Sequence, residues 1–163
     1  MATLRRGIAG EQAFSWRVTP GGLRSISRCM KVVVAGAGIG GLCAAIALTK
    51  VGFEVEVIER APALTEVGAG IQLSPNAVKG LAGLGVLEAV LAVASQPLML
   101  EMRIGKTGEK VFSIPIAKDA RKRYEAPYIH VHRADLIEIL KRAAEFARVQ
   151  LRLNARVSAY VRE

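Results

Sequence analysis

The sequence predicts an α/β fold: a βαβ unit on a parallel sheet, with a β-hairpin excursion later in the chain. Three observations predict it. Residues 32–35, Val-Val-Val-Ala, form a short β-branched run of the kind found in buried parallel strands. A glycine-rich turn, Gly36-Ala37-Gly38-Ile39-Gly40-Gly41, opens an uncharged helical stretch, and residues 54–58 return as a second strand that ends on Glu59. Farther on, apolar runs at 98–104 and 111–116 flank Lys106-Thr107-Gly108-Glu109, a turn between two hairpin strands.

Each part of the first unit has a mechanical role. Gly36 permits the tight turn out of the strand, and Gly38, without a Cβ, lets the backbone approach a pyrophosphate. Gly41 lets the helix pack closely on the strand. The helix N-terminus then turns its free N–H groups and positive dipole end toward phosphate. A carboxylate at Glu59 accepts hydrogen bonds from ribose hydroxyls and repels a 2′-phosphate, which favours FAD or NAD over NADP. Together these features describe a Rossmann-like dinucleotide-binding unit. A tight βα turn alone accounts for Gly36 and Gly41, but not for Gly38 and Glu59 together.

The remaining elements follow in order. Gly68-Ala69-Gly70 reads as a flexible turn. Ser74 and Pro75 read as the N-cap and first residue of a helix carrying Ala77, Val78, Leu81 and Leu84 on one face, stopped by Gly85. Residues 86–94 read as a further short helix. After the hairpin, residues 117–127 are charged and contain Pro127, so they read as loop. Residues 128–132 read as a strand. Residues 134–147 form an amphipathic helix with Leu136, Ile137, Leu140, Ala144 and Ala147 on its apolar face. Residues 149–153 read as another strand, and 157–161 as the start of one more.

Composition narrows the function. The 163 residues suit one domain of ordinary size, and a hydrophobic content of 52% supplies its core. The net charge is +9, of which five arginines against Glu11 place +4 in residues 1–30. The remaining positives are scattered apart from Lys118, Arg121, Lys122 and Arg123, which read as a solvated loop. With only 5% aromatic residues there is no stacking platform for single-stranded nucleic acid, so no nucleic-acid partner is expected. Cys29 and Cys43 make no disulfide framework and fit a reducing compartment. Residues 32–49 carry no charge, but their first third is the strand and glycine turn, so no membrane span is expected. His130 and His132 share a strand face with no third ligand in view, so no metal is expected.

Residues 1–29 show no strand or helix period and are Arg-, Ser- and Gly-rich. That composition is similar to a mitochondrial transit peptide. The reading preferred here starts translation at Met30, directly before the first strand, and places the protein in the cytoplasm. Either way residues 1–29 are expected outside the fold, and 30–163 form the domain.

Three segments together resemble the N-terminal portion of the class A flavin-dependent aromatic hydroxylases, the salicylate and 3-hydroxybenzoate hydroxylase branch in particular. They are residues 36–60, the run Glu66-Val-Gly-Ala-Gly-Ile-Gln-Leu-Ser-Pro-Asn-Ala77, and Tyr128-Ile-His-Val-His-Arg133-Ala-Asp-Leu136. The resemblance covers residues 30–163. It implies FAD as cofactor, NADH or NADPH as reductant, dioxygen as oxidant and a small, salicylate-like aromatic substrate. It also implies that Gly36, Gly38 and Gly40 meet the pyrophosphate, Glu59 the adenosine ribose, and that Arg60 lies on the adenine side. Gln72 would lie near flavin and substrate, and Arg133, opening a helix, would reach the FAD phosphates or ribityl chain, where a guanidinium suits phosphate by charge and geometry.

The family pattern continues, beyond the strand near 157–161, with an Asp-Gly segment, a substrate-binding sheet and a Gly-Asp motif. None of these falls within the 163 residues, so the chain is expected to be incomplete relative to the family fold and to lack catalysis by itself. Two other readings stand beside the hydroxylase: a nicotinamide-dependent reductase with the same nucleotide unit, and a truncated, non-catalytic dinucleotide-binding protein.

Overall fold

The computed structural model describes residues 2–5, 14–16, 30–64 and 69–162. Cys29 and the Glu66, Val67 and Gly68 positions of the second motif lie outside them. In chain order the strands are β1 (Ala2–Arg5), β2 (Phe14–Trp16), β3 (Lys31–Ala35), β4 (Glu54–Ile58), β5 (Gly70–Leu73), β6 (Leu100–Arg103), β7 (Lys110–Ile114), β8 (Ile129–His132), β9 (Gln150–Arg152) and β10 (Ala159–Arg162). The helices are α1 (Ile39–Lys50), α2 (Pro75–Leu84), α3 (Leu87–Val93), α4 (Ile116–Tyr124) and α5 (Arg133–Phe146). The chain divides into two compact units, Met1–Thr65 with Leu140–Glu163, and Glu66–Ile139.

The first unit is organised by a parallel sheet of order β3-β4-β9, with α1 as the crossover between β3 and β4. The central strand is the buried one: Val55, Val57 and Ile58 are all closed to solvent. Glu56 is buried among them at 4% exposure, and a carboxylate there requires partners. It finds one on each neighbouring strand, Lys31 Nζ at 3.4 Å and Arg152 Nε at 2.9 Å. The ion pairs therefore stitch the three strands together on one face. On β3, Val32, Val33 and Val34 are only half-buried, against the expectation of a buried strand. The reason is position: among the described residues β3 pairs with β4 alone, at the sheet edge.

β1 pairs antiparallel with β10, Ala2 opposite Arg162 through Arg5 opposite Ala159, and with β2 on its other side. β1 and β2 lie within residues 1–29, the stretch without a strand or helix period that is expected outside the fold. Ladder hydrogen bonds are made by main-chain groups, so such pairing needs no side-chain period for a reader to find.

The second unit holds the antiparallel pair β5-β8 and the hairpin β6-β7, with α2, α3 and α4. Ile129 and Val131 of β8 are buried, as are Val78 and Leu81 of α2, Val90 of α3 and Ala120 of α4. Two elements differ from expectation. Gly70 is not part of a flexible turn but opens β5, because residues 70–73 find a ladder partner in β8. Residues 117–124 are helix rather than loop. Ala, Lys and Arg are strong helix formers, the buried Ala120 anchors one face, and Arg121, Lys122 and Arg123 complement the dipole in the last turn. Pro127 only follows the stop, which Glu125 makes with φ +55°. At α2, Ser74 occupies the N-cap with extended backbone, but its hydroxyl bonds to the Asn76 side chain instead of capping an amide. Gly85 ends the helix in the left-handed conformation at φ +79°. No helix among the described residues is long and apolar enough to cross a membrane.

Candidate cofactor-binding site

The glycine turn between β3 and α1 is held by two strands of contacts. Gly36 sits at φ +100°, a conformation closed to most side chains, and its amide donates to the Ile58 carbonyl at 2.8 Å. Gly41 is required for a different reason. A Cβ added there would stand 1.9 Å from the Gly36 carbonyl oxygen and 3.4 Å from a Val34 methyl. Helix and strand are thus in backbone contact, as its place in the motif predicts. Gly38 is the N-cap of α1, accepting the first helical bond from the Leu42 amide at 3.0 Å. A Cβ on Gly38 or Gly40 would meet nothing within 4 Å. Among the described residues, space at the helix mouth is open and no side chain caps the first amides. Those amides have no partner inside the helix, so this end offers donors and positive potential where an anion would lie.

Glu59 follows β4 and faces the turn. Its Oε2 accepts the Ala37 amide at 2.8 Å, and its Oε1 accepts the Ala61 amide at 2.9 Å. The Ala37 bond, then the Ala61 bond, hold its carboxyl below the ordinary carboxylate range, with the Arg60 charge adding to them. The group is therefore ionised at neutral pH and locked in one orientation. Each oxygen keeps a second lone-pair direction, which suits a diol such as ribose. Arg60, next in the chain, is exposed. Donor amides, open glycine backbone and a fixed carboxylate together fit the ADP half of a dinucleotide.

Gln72 and Arg133 belong to the second unit. Gln72 is exposed on β5, opposite His130 of β8. Its Oε1 accepts the Tyr128 hydroxyl at 2.8 Å. Arg133 is the first residue of α5, half-buried, and its amide donates to the Ala69 carbonyl at 3.0 Å. The structure thus places Gln72 on β5 and Arg133 at the start of α5, directly after β8, in one unit, while the glycines, Glu59 and Arg60 share the other. His130 and His132 acquire no further ligand: among the described residues, no group of three or more His, Cys, Asp or Glu could hold a metal ion. The sequence reading missed the Ala37 and Ala61 amides and the Tyr128 hydroxyl. Tyr128 opens the third resembling segment, but nothing local pointed to its hydroxyl, since its partner Gln72 lies 56 residues earlier.

A family model described as FAD binding domain matches residues 29–163. The chain belongs to this family. It is 40% identical over 130 residues to 3-hydroxybenzoate 6-hydroxylase 1 of Aquipseudomonas alcaligenes, covering 79% of this chain and 33% of that protein. With 6-hydroxynicotinate 3-monooxygenase of Pseudomonas fluorescens it shares 38% identity over 118 residues, 72% of this chain and 31% of the relative. Among solved structures it is similar to Klebsiella pneumoniae HpxO, complexed with FAD and uric acid. That match has a TM-score of 0.67 and 32% identity, over 80% of this chain and 32% of that one. The FAD-binding chain therefore spans about one third of the length of the curated relatives it matches. They are hydroxylases and monooxygenases by name, as the three-segment resemblance implies.

Proposed function

We propose that residues 30–163 are the FAD-binding portion of a cytoplasmic monooxygenase that hydroxylates a small aromatic acid, using NADH or NADPH and dioxygen. One observation carries the reading: the Glu59 carboxylate is tied to the Ala37 amide inside the glycine turn, so the ribose acceptor and the pyrophosphate donors form one rigid cradle. In this reading Gly36, Gly38 and Gly40 let the backbone meet the pyrophosphate, and Gly41 keeps the helix end seated. Glu59 binds the adenosine ribose, and Arg60 lies on the adenine side. Gln72 meets the flavin half, and Arg133 a phosphate or the ribityl chain. When bound, FAD supplies the redox chemistry, accepting reducing equivalents and passing them to dioxygen. The protein's part is to orient it and hold the ionised acid where it binds a diol but repels a 2′-phosphate. The names of the relatives support an aromatic acid as the substrate class.

The test is a titration of the purified chain with FAD, NAD and NADP, followed by flavin fluorescence and calorimetry. FAD should bind most tightly and NADP least, and Glu59→Arg should abolish the preference for an unphosphorylated ribose. Binding of NAD with no binding of FAD would replace this reading with the nicotinamide-dependent reductase.

A further inference from the structure

The polar face of the β5-β8 pair holds three side chains that touch in sequence. The Tyr128 hydroxyl donates to Gln72 Oε1 at 2.8 Å. The Tyr128 ring stands edge-on to the His130 ring, with centroids 5.6 Å apart and an interplanar angle of 70°. His130 is in turn the ladder partner of Gln72. The strand beneath is well anchored: Ile129 and Val131 are buried, and the His130 amide and carbonyl both bond to Ser95 at 2.8 Å. A flexible, exposed glutamine is thereby held by a rigid aromatic neighbour.

A primary amide has one acceptor end and one donor end. With Oε1 engaged by the phenol, the NH₂ group is the end left to a ligand. We propose that Tyr128 is a positioning residue that sets the Gln72 amide donor-outward, toward a carbonyl or ring-nitrogen acceptor of the flavin half of FAD. The assignment rests on the reading of Gln72 given above. Isoalloxazine presents such acceptors along its edge, and an amide fixed in advance loses less freedom on binding than a free one. His130 braces the tyrosine ring and makes no hydrogen bond to the ligand in this scheme.

The experiment compares FAD and ADP titrations of the full chain for wild type, Tyr128→Phe, Gln72→Ala, the double variant and Gln72→Glu. ADP reports on the glycine turn and Glu59 alone. Tyr128→Phe should raise the FAD Kd about three- to tenfold, the scale of one net hydrogen bond, and shift the bound flavin's absorption bands, with ADP affinity unchanged. The double variant should bind FAD no worse than Gln72→Ala, because Tyr128 acts through Gln72. Gln72→Glu keeps an acceptor for the phenol but loses the outward donor, so it should weaken FAD and leave ADP alone. This exposed substitution decides the matter even if Tyr128→Phe folds poorly. Additive losses in the double variant, or wild-type FAD binding by Gln72→Glu, would overturn the assignment. Failure of the wild-type chain to bind FAD while binding ADP would overturn the cofactor reading itself, and this assignment with it.

Discussion

The parallel sheet β3-β4-β9 and the hairpin β6-β7 solve the same problem of pairing strands with opposite outcomes for their side chains. In the sheet the apolar residues of β4 are closed to solvent and the one buried acid, Glu56, is neutralised from both sides. In the hairpin the polar residues are satisfied and the apolar ones are not covered. Glu101 pairs with Lys110 at 2.9 Å and with Arg103 at 2.8 Å on one face. On the other, Leu100 lies opposite Ile114 and Met102 opposite Phe112, with Met102 53% exposed and Phe112 42%. The lesson is that β-pattern alone sets which residues share a face, while burial depends on what is stacked against that face. Substitutions in the nucleotide unit should therefore be costly, and those on the hairpin cheap.

The largest effect is expected at Gly41. A methyl at Gly41 overlaps the Gly36 carbonyl, so Gly41→Ala should cost about 1–3 kcal/mol in denaturant unfolding and weaken ADP and FAD together. Gly40→Ala sharpens the point, since its methyl enters open space: stability should hold while FAD affinity falls. Equal destabilisation by the two would break the distinction between packing and approach.

Glu59→Ala comes next, at about 1–3 kcal/mol, because the Ala37 and Ala61 amides lose a charged acceptor. Its pH dependence has a defined sign. The folded-state pKa lies below the ordinary 4.5, so the contribution is present above that value and is lost as pH falls through the folded pKa. The stability gap between wild type and Glu59→Gln, followed by acid titration, should shrink below about pH 4.5. A gap that widens on acidification would contradict the hydrogen-bond geometry.

On the hairpin the effects should be small. Phe112→Lys replaces an exposed apolar group, so the unfolding free energy should stay within about 0.5 kcal/mol of wild type while aggregation decreases in light scattering. A large loss of stability would mean that this face is covered in solution. Smallest is Glu101→Gln. The two cations hold this acid at about 2, yet it is exposed, so the pairing is screened. Its removal should be detectable only at low salt, and any stabilisation should fade as pH falls toward 2.

The nucleotide unit was the most legible part of the sequence because its signals are local and redundant. Strand, glycine spacing, helix and terminal acid each constrain the same 30 or so residues, and each role reads from neighbours in the chain. α4 was less legible: charge and a nearby proline suggested a loop, and the buried Ala120 that fixes the helix depends on contacts far away in sequence. β5 was hidden for the same reason, since four residues become a strand only when β8 lies beside them.

By itself, then, the sequence determined the βαβ order, the turn residues, the acid at 59 and the alternation that gives the hairpin its two faces. These follow from backbone sterics and periodicity, which are properties of residues close in the chain. Tertiary structure alone decided that β3 is an edge among the described strands, that Lys31 and Arg152 neutralise Glu56, that Ala37 and Ala61 orient Glu59, and that Tyr128 holds Gln72. Each of those is a pairing of polar groups from separate segments, and a buried or oriented charge takes whichever partner the fold brings within hydrogen-bond reach.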